Sequence, residues 1–226
     1  HYPLNGDHLA DWLTFSPGAA GRRILNAAIQ RGAERRARSV CRRADGVAAV
    51  SPYVDGLLRE RRIAAPEIVP CVVDRPADVP ALEIRKKHGI PEGSPIFLYV
   101  GRIDPDKRIG DLLQMAAVLR RREPRARLLI VGGGPYLPRF LAQAESLRLG
   151  DNVLFAGWVP HRDVWAYYAQ ADLFVMASPH EAQGLVAIEA QAMGLPVAAY
   201  RGGGVSLCVA DGASGVLTDP TPDALA

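Results

Sequence analysis

From residue 95 onward, short continuous apolar runs alternate with longer stretches whose apolar residues recur every three or four positions. The short runs suit strands buried on both faces, and the longer period suits helices with one inward face. The pattern predicts strands at Ile96–Val100, Leu128–Val131, Asn152–Ala156, Leu173–Ala177 and Pro196–Tyr200, with a short sixth at Gly215–Leu217. Helices are predicted over Ile109–Arg122, Leu137–Leu149 and Val164–Ala171, and over a stretch that carries Glu189 and stops at Gly194. In the first of these, Leu112, Leu113, Ala116, Ala117 and Leu119 form one face. Single helices between apolar strands imply an α/β fold, a doubly wound, Rossmann-like parallel sheet with its ligand at the carboxyl ends of the strands.

Residues 1–80 follow a different rhythm. An Arg-rich helical pattern over Ile24–Arg43 leads to a strand at Gly46–Ser51, a helix near Val54–Arg62 and a strand at Glu67–Pro70. Two strands do not complete a sheet, so this part is expected to be the tail of an N-terminal α/β domain. The boundary is expected between Asp74 and Pro95, where Pro76, Pro80 and Pro91 cluster, which gives a tail over 1–80, a linker over 81–94 and a second domain over 95–226. A start at His1 and a finish in the helix-opening run Thr221–Ala226 are those expected of a fragment.

Composition narrows the function classes. A hydrophobic content of 49% and a net charge of +3 suit a globular protein and give no support for nucleic-acid binding, which calls for basic runs laced with aromatics. Cys41, Cys71 and Cys208 are scattered without metal-ligand spacing, so reduced thiols and a cytoplasmic location are expected, with no metal. No apolar run approaches the length of a bilayer span. The eight arginines between Arg22 and Arg43 face one acid, Glu34. That balance admits a peripheral contact with anionic lipid, against the alternative of a solvated or domain-packed helix.

The densest chemistry lies in the stretch His180–Pro196, HEAQGLVAIEAQAMGLP. A strand that turns into a helix presents outward N–H groups that favour an anion. Glu181, just before that junction, can accept hydrogen bonds from sugar hydroxyls, and Glu189, two turns along, can reach those of a ribose. Diphosphate, sugar and ribose together make a nucleotide sugar. Gly132-Gly133-Gly134-Pro135 fails as a dinucleotide fingerprint, because the third glycine position holds Leu137. It is read as a tight turn, with or without a nucleotide close by.

These motifs together resemble the retaining glycosyltransferases of the GT-B fold (group 1, or family 4-like), built from two facing Rossmann-like domains. The resemblance rests on Ala44-Asp45-Gly46-Val47 through Ser51, on Val69–Asp74 against "IPNGVD" with Cys71-Val72 in place of Asn-Gly, and on Tyr99–Ile103 with Lys107. Gly132–Pro135, Val153–Gly157, and Glu181 to Glu189 followed by Ala192–Val197 complete the series in order. Gly203–Leu207 departs from the "GG-x-P-E" pattern by lacking its Pro and Glu.

The resemblance implies transfer of a sugar from a UDP-sugar or GDP-mannose to a sugar, lipid-linked or small-molecule hydroxyl, with no cofactor and no metal. Arg102 and Lys107 would neutralise the departing diphosphate, and Glu181 would meet the donor sugar. Glu189 would hold the ribose, with Gly101, Gly132, Gly134, Gly184, Leu185 and Val186 lining the donor. His1 would correspond to a histidine beside the reacting sugar, and His180 is a second candidate there. The alternatives are a non-catalytic nucleotide-binding domain of this fold, or an epimerase or phosphorylase. A phosphorylase implies a lysine-linked pyridoxal site, which no lysine here clearly supplies.

Overall fold

A computed structural model describes residues 32–63 and 67–226, so His1 and the first part of the Arg-rich pattern lie outside the described residues. The chain divides into two compact units between Val69 and Pro70.

In the first unit a helix over 32–43 (α1) exposes Arg35, Arg36, Arg42 and Arg43. Strand β1 (Ala48–Ala49) pairs in parallel with β2 (Glu67–Ile68) through Ala48–Glu67 and Ala49–Ile68. Both strands are shorter than their apolar patterns suggest. Between them lies α2 (Pro52–Glu60), where the Ser51 hydroxyl accepts from Val54 N–H at 3.2 Å. The serine that ends the Ala44–Ser51 motif is therefore a helix N-cap, and Pro52 sits at the first helical turn, where no N–H is needed.

The second unit contains a six-stranded sheet. Its strands are β3 (Ile96–Val100), β4 (Arg127–Val131), β5 (Val153–Gly157), β6 (Leu173–Met176), β7 (Val197–Tyr200) and β8 (Gly215–Thr218). They lie in the order β5-β4-β3-β6-β7-β8, every neighbouring pair parallel. Counted from β3, this is the 3-2-1-4-5-6 order of a doubly wound nucleotide-binding sheet.

Side chains alternate across the sheet and build a core on each face. On one face Ile96, Leu98, Leu129, Val131, Phe174 and Met176 pack with Trp165 and Tyr168 of α6 (His161–Gln170) and Ala187 and Ala190 of α7 (Leu185–Ala192). On the other, Tyr99, Leu128, Ile130, Val175 and Tyr200 pack with Leu112, Leu113 and Met115 of α4 (Ile109–Arg122) and Phe140 of α5 (Leu137–Ser146). The α5 helix ends before the expected Leu149, because Arg148 takes a left-handed turn (φ 53°) that leads into a 3-10 turn at Gly150–Asn152. Short helices α8 (Val205–Cys208) and α9 (Pro222–Leu225) flank β8 in sequence.

The linker expected over 81–94 is corrected by the structure. That stretch forms α3 (Ile84–His88), with Ile84 and Ile90 buried in the core of the second unit. Gln170 of α6 accepts from Ile84 N–H at 3.1 Å. Pro91 opens a turn in this stretch, where Ser94 N–H donates to the Pro91 carbonyl at 3.2 Å; its isoleucines anchor it.

Candidate functional site

In a sheet of this order the strand connections run in opposite directions on either side of the β3–β6 pair. A crevice therefore opens at their carboxyl ends. The loop 101–108 leaves β3 there, and the loop 177–184 leaves β6. Lys107 from the first and Glu181 from the second meet across it, Nζ to Oε1 at 2.7 Å, with side chains only 12% and 18% exposed. An ion pair this enclosed is screened far less than a surface pair, so each charge depends on the other.

Lys107 is aimed by the backbone before it. Tyr99 is buried and donates its hydroxyl to the Arg102 carbonyl at 2.8 Å. Burial first, then the negative charge of Glu181, holds the Tyr99 phenol well above its ordinary pKa, so it stays a donor. Pro105–Lys107 then make one 3-10 turn, and Arg108 follows in the left-handed region (φ 52°) to open α4.

Arg102 carries its own acids, with guanidinium nitrogens 3.1 Å from Asp104 and 3.2 Å from Asp106. Burial pushes the Asp106 carboxyl up, against the pull of Lys107. Asp104 and Asp106 did not figure in the sequence reading, although their spacing from Arg102 in one short loop was the available signal. Any anion that takes these cations must compete with carboxylates already paired to them.

The turn after β4 is seated on the loop after β3. Gly101 N–H donates to Val131 O at 3.0 Å and Ile103 N–H to Gly133 O at 2.9 Å. A Cβ on Gly132 would lie 1.8 Å from the Gly101 carbonyl oxygen, and one on Gly134 would lie 2.2 Å from that of Ile103. Glycine is required here by backbone against backbone, not by turn geometry alone. Gly101, Gly132 and Gly134 are thus brought together.

On the other side of the crevice, Gly184 in the left-handed region (φ 81°) starts α7 with no side-chain cap. The first amides of that helix, at Leu185 and Val186, follow directly on the Glu181 loop. Their polarity favours negative charge at this end. Glu189 projects one turn further along. Its Oε2 accepts from the Tyr168 hydroxyl at 2.8 Å and its Oε1 lies 3.1 Å from Nε2 of His161. The carboxylate is 12% exposed, and its charge, after burial, raises the Tyr168 phenol far above its usual range. Both oxygens are fixed in direction, yet each keeps a lone pair. His161 and Tyr168 come from α6, and sequence reasoning missed them. His180 is exposed beside Glu181. Among the described residues no cluster of His, Cys, Asp and Glu has the arrangement of a metal site.

The profile of the family described as "Glycosyl transferases group 1" matches residues 81–226, well over half of the chain. The chain belongs to this family. Its fold is the α/β, GT-B-type architecture that goes with it. A GDP-mannose-dependent alpha-(1-6)-phosphatidylinositol monomannoside mannosyltransferase of Mycolicibacterium smegmatis is 33% identical over 82% of this chain and 53% of its own length. A D-inositol 3-phosphate glycosyltransferase of Nocardia farcinica is 44% identical over 63% of this chain and 33% of its own. Among solved structures, a sucrose-phosphate synthase from Thermosynechococcus elongatus superimposes with a TM-score of 0.72 at 30% identity, covering 99% of this chain and 55% of that one. This group 1 chain thus spans between about a third and about half of the length of these proteins.

Proposed function

We propose that this chain is the donor-binding half, with part of the acceptor half, of a retaining glycosyltransferase. It moves a hexosyl group from a nucleoside-diphosphate sugar, a UDP-sugar or GDP-mannose, to a hydroxyl of a sugar, lipid-linked or small-molecule acceptor. The observation that carries this reading is the Lys107–Glu181 pair at the β3–β6 crevice. It sets a cation for a diphosphate and an acid for a sugar within hydrogen-bonding distance of each other, where a doubly wound sheet receives its ligand.

In this reading the diphosphate lies over the first amides of α7, with Lys107 and Arg102 at its oxygens. Charge that grows on it as the glycosidic bond breaks meets cations already in place. Those cations and the helix amides supply the positive charge, so the reaction is proposed to run without a metal or organic cofactor. Glu181 accepts from the sugar hydroxyls, and Glu189, steadied by Tyr168 and His161, accepts from the ribose. The exposed arginines of α1 support a peripheral contact with anionic lipid from the cytoplasmic side. Among the described residues no helix is long and apolar enough to cross a membrane.

The test is transfer from labelled UDP-glucose and GDP-mannose by the full-length protein, with the anomeric configuration of the product read by NMR. Product of retained configuration is expected. Tight UDP or GDP binding without product for any acceptor class would instead identify a non-catalytic nucleotide-binding domain. Glu189→Ala is expected to weaken nucleotide affinity by about 1–3 kcal/mol, from two hydrogen bonds to a charged group, as read by calorimetric titration. Unchanged UDP and GDP binding would remove Glu189 from the ribose.

A further inference from the structure

The loop 177–184 carries Glu181 and is held from two sides within the second unit. On one side Gly204 N–H donates to the Glu181 carbonyl at 2.6 Å. The backbones touch so closely that a Cβ on Gly204 would lie 2.4 Å from the Ala182 carbonyl oxygen, and one on Gly203 would lie 2.8 Å from that of Glu181. On the other side the contact is made by a side chain. The Gln183 carboxamide accepts from Cys71 N–H at 2.8 Å and donates to the Cys71 carbonyl at 2.8 Å.

This pair of bonds reproduces what a neighbouring strand residue would offer, across 112 positions of sequence. It requires one acceptor and one donor in a single plane at the end of two methylenes. Gln meets that requirement; ionised Glu has no donor, and Asn is one methylene shorter.

We propose that Gln183 is a positioning residue for Glu181. By pinning its loop to the Pro70–Asp74 segment it holds the Glu181 carboxylate opposite Lys107 before a donor arrives. A loop ordered in advance does not have to be ordered at the transition state, so the gain falls on turnover rather than on nucleotide affinity. The inference rests on the transfer reaction proposed above; the clamp itself can be measured without it.

The experiment compares Gln183→Ala and Gln183→Glu with the wild type in the full-length protein. For Gln183→Ala the expected results are a kcat at least about tenfold lower, a Kd for UDP or GDP within about threefold of wild type, and faster hydrogen exchange in the 70–74 peptide. For Gln183→Glu the ratio of its kcat to that of the wild type rises as pH falls. A protonated carboxyl regains one donor and one acceptor, whereas the carboxylate has nothing to give the Cys71 carbonyl. A Gln183→Ala kcat within about twofold of wild type overturns the inference, as does a Kd that worsens in step with kcat. If the alanine variant does not fold, the pH ratio of the glutamate variant decides, and a flat ratio is the contrary result. A wild type that binds nucleotide but transfers nothing overturns the functional reading. Normal transfer with unaltered 70–74 exchange in the alanine variant overturns this one.

Discussion

Lys107→Met is expected to lower kcat by about two to three orders of magnitude, the cost of removing one preorganised charge from a developing anion. The same substitution strips Glu181 of its partner in a mostly buried setting, and an unpaired carboxylate there is destabilising in its own right. The two consequences are separable. In the double variant Lys107→Met/Glu181→Gln no charge is left unpaired, so thermal stability is expected to recover toward wild type. Turnover is not expected to follow, because neither the cation proposed for the diphosphate nor the carboxylate proposed for the sugar is restored. Melting curves and steady-state rates on the three proteins provide the check. Recovery of both stability and rate in the double variant would reduce the pair to a structural ion pair.

Gly132→Ala is expected to be the most damaging single-methyl change in the second unit. The new Cβ would fall 1.8 Å from the Gly101 carbonyl oxygen, at a backbone φ of 140° that L residues rarely adopt. Neither party is a flexible side chain, so the β3 and β4 loops must separate. Overpacking of this kind costs about 3 kcal/mol. For a chain of this size that lowers Tm by roughly 6–12 °C. Gly133→Ala in the same turn is the control, since its Cβ would first meet the Trp158 Cβ at 3.9 Å, an ordinary contact. A calorimetric scan in which both variants melt alike would contradict the interlocked loops.

Much of the fold is legible in the sequence because the inner strands of the main sheet, β4, β3, β6 and β7, are largely buried on both faces, so their apolar runs are almost unbroken. Ile96–Val100 and Pro196–Tyr200 show this plainly. The error at 81–94 has a physical cause: Pro76, Pro80 and Pro91 signal turns, whereas the apolar residues that dock the segment, Leu82, Ile84 and Ile90, are too few to make a pattern. In the site, legibility follows sequence distance. Glu181, Glu189, Arg102 and Lys107 lie in local motifs, and Asp104 and Asp106 were within the same reach. The partners of Glu189, on α6, and the hold of Gln183 on Cys71 belong to tertiary packing, which no local spacing encodes.

The most direct measurement is a crystal structure of the full-length protein with UDP or GDP bound. The β-phosphate is predicted to lie within hydrogen-bonding distance of Lys107 Nζ and of the first amides of α7, with the ribose hydroxyls on Glu189. A nucleotide lodged elsewhere, with Lys107 still closed on Glu181 and no ribose on Glu189, would contradict the placement of the donor at the β3–β6 crevice.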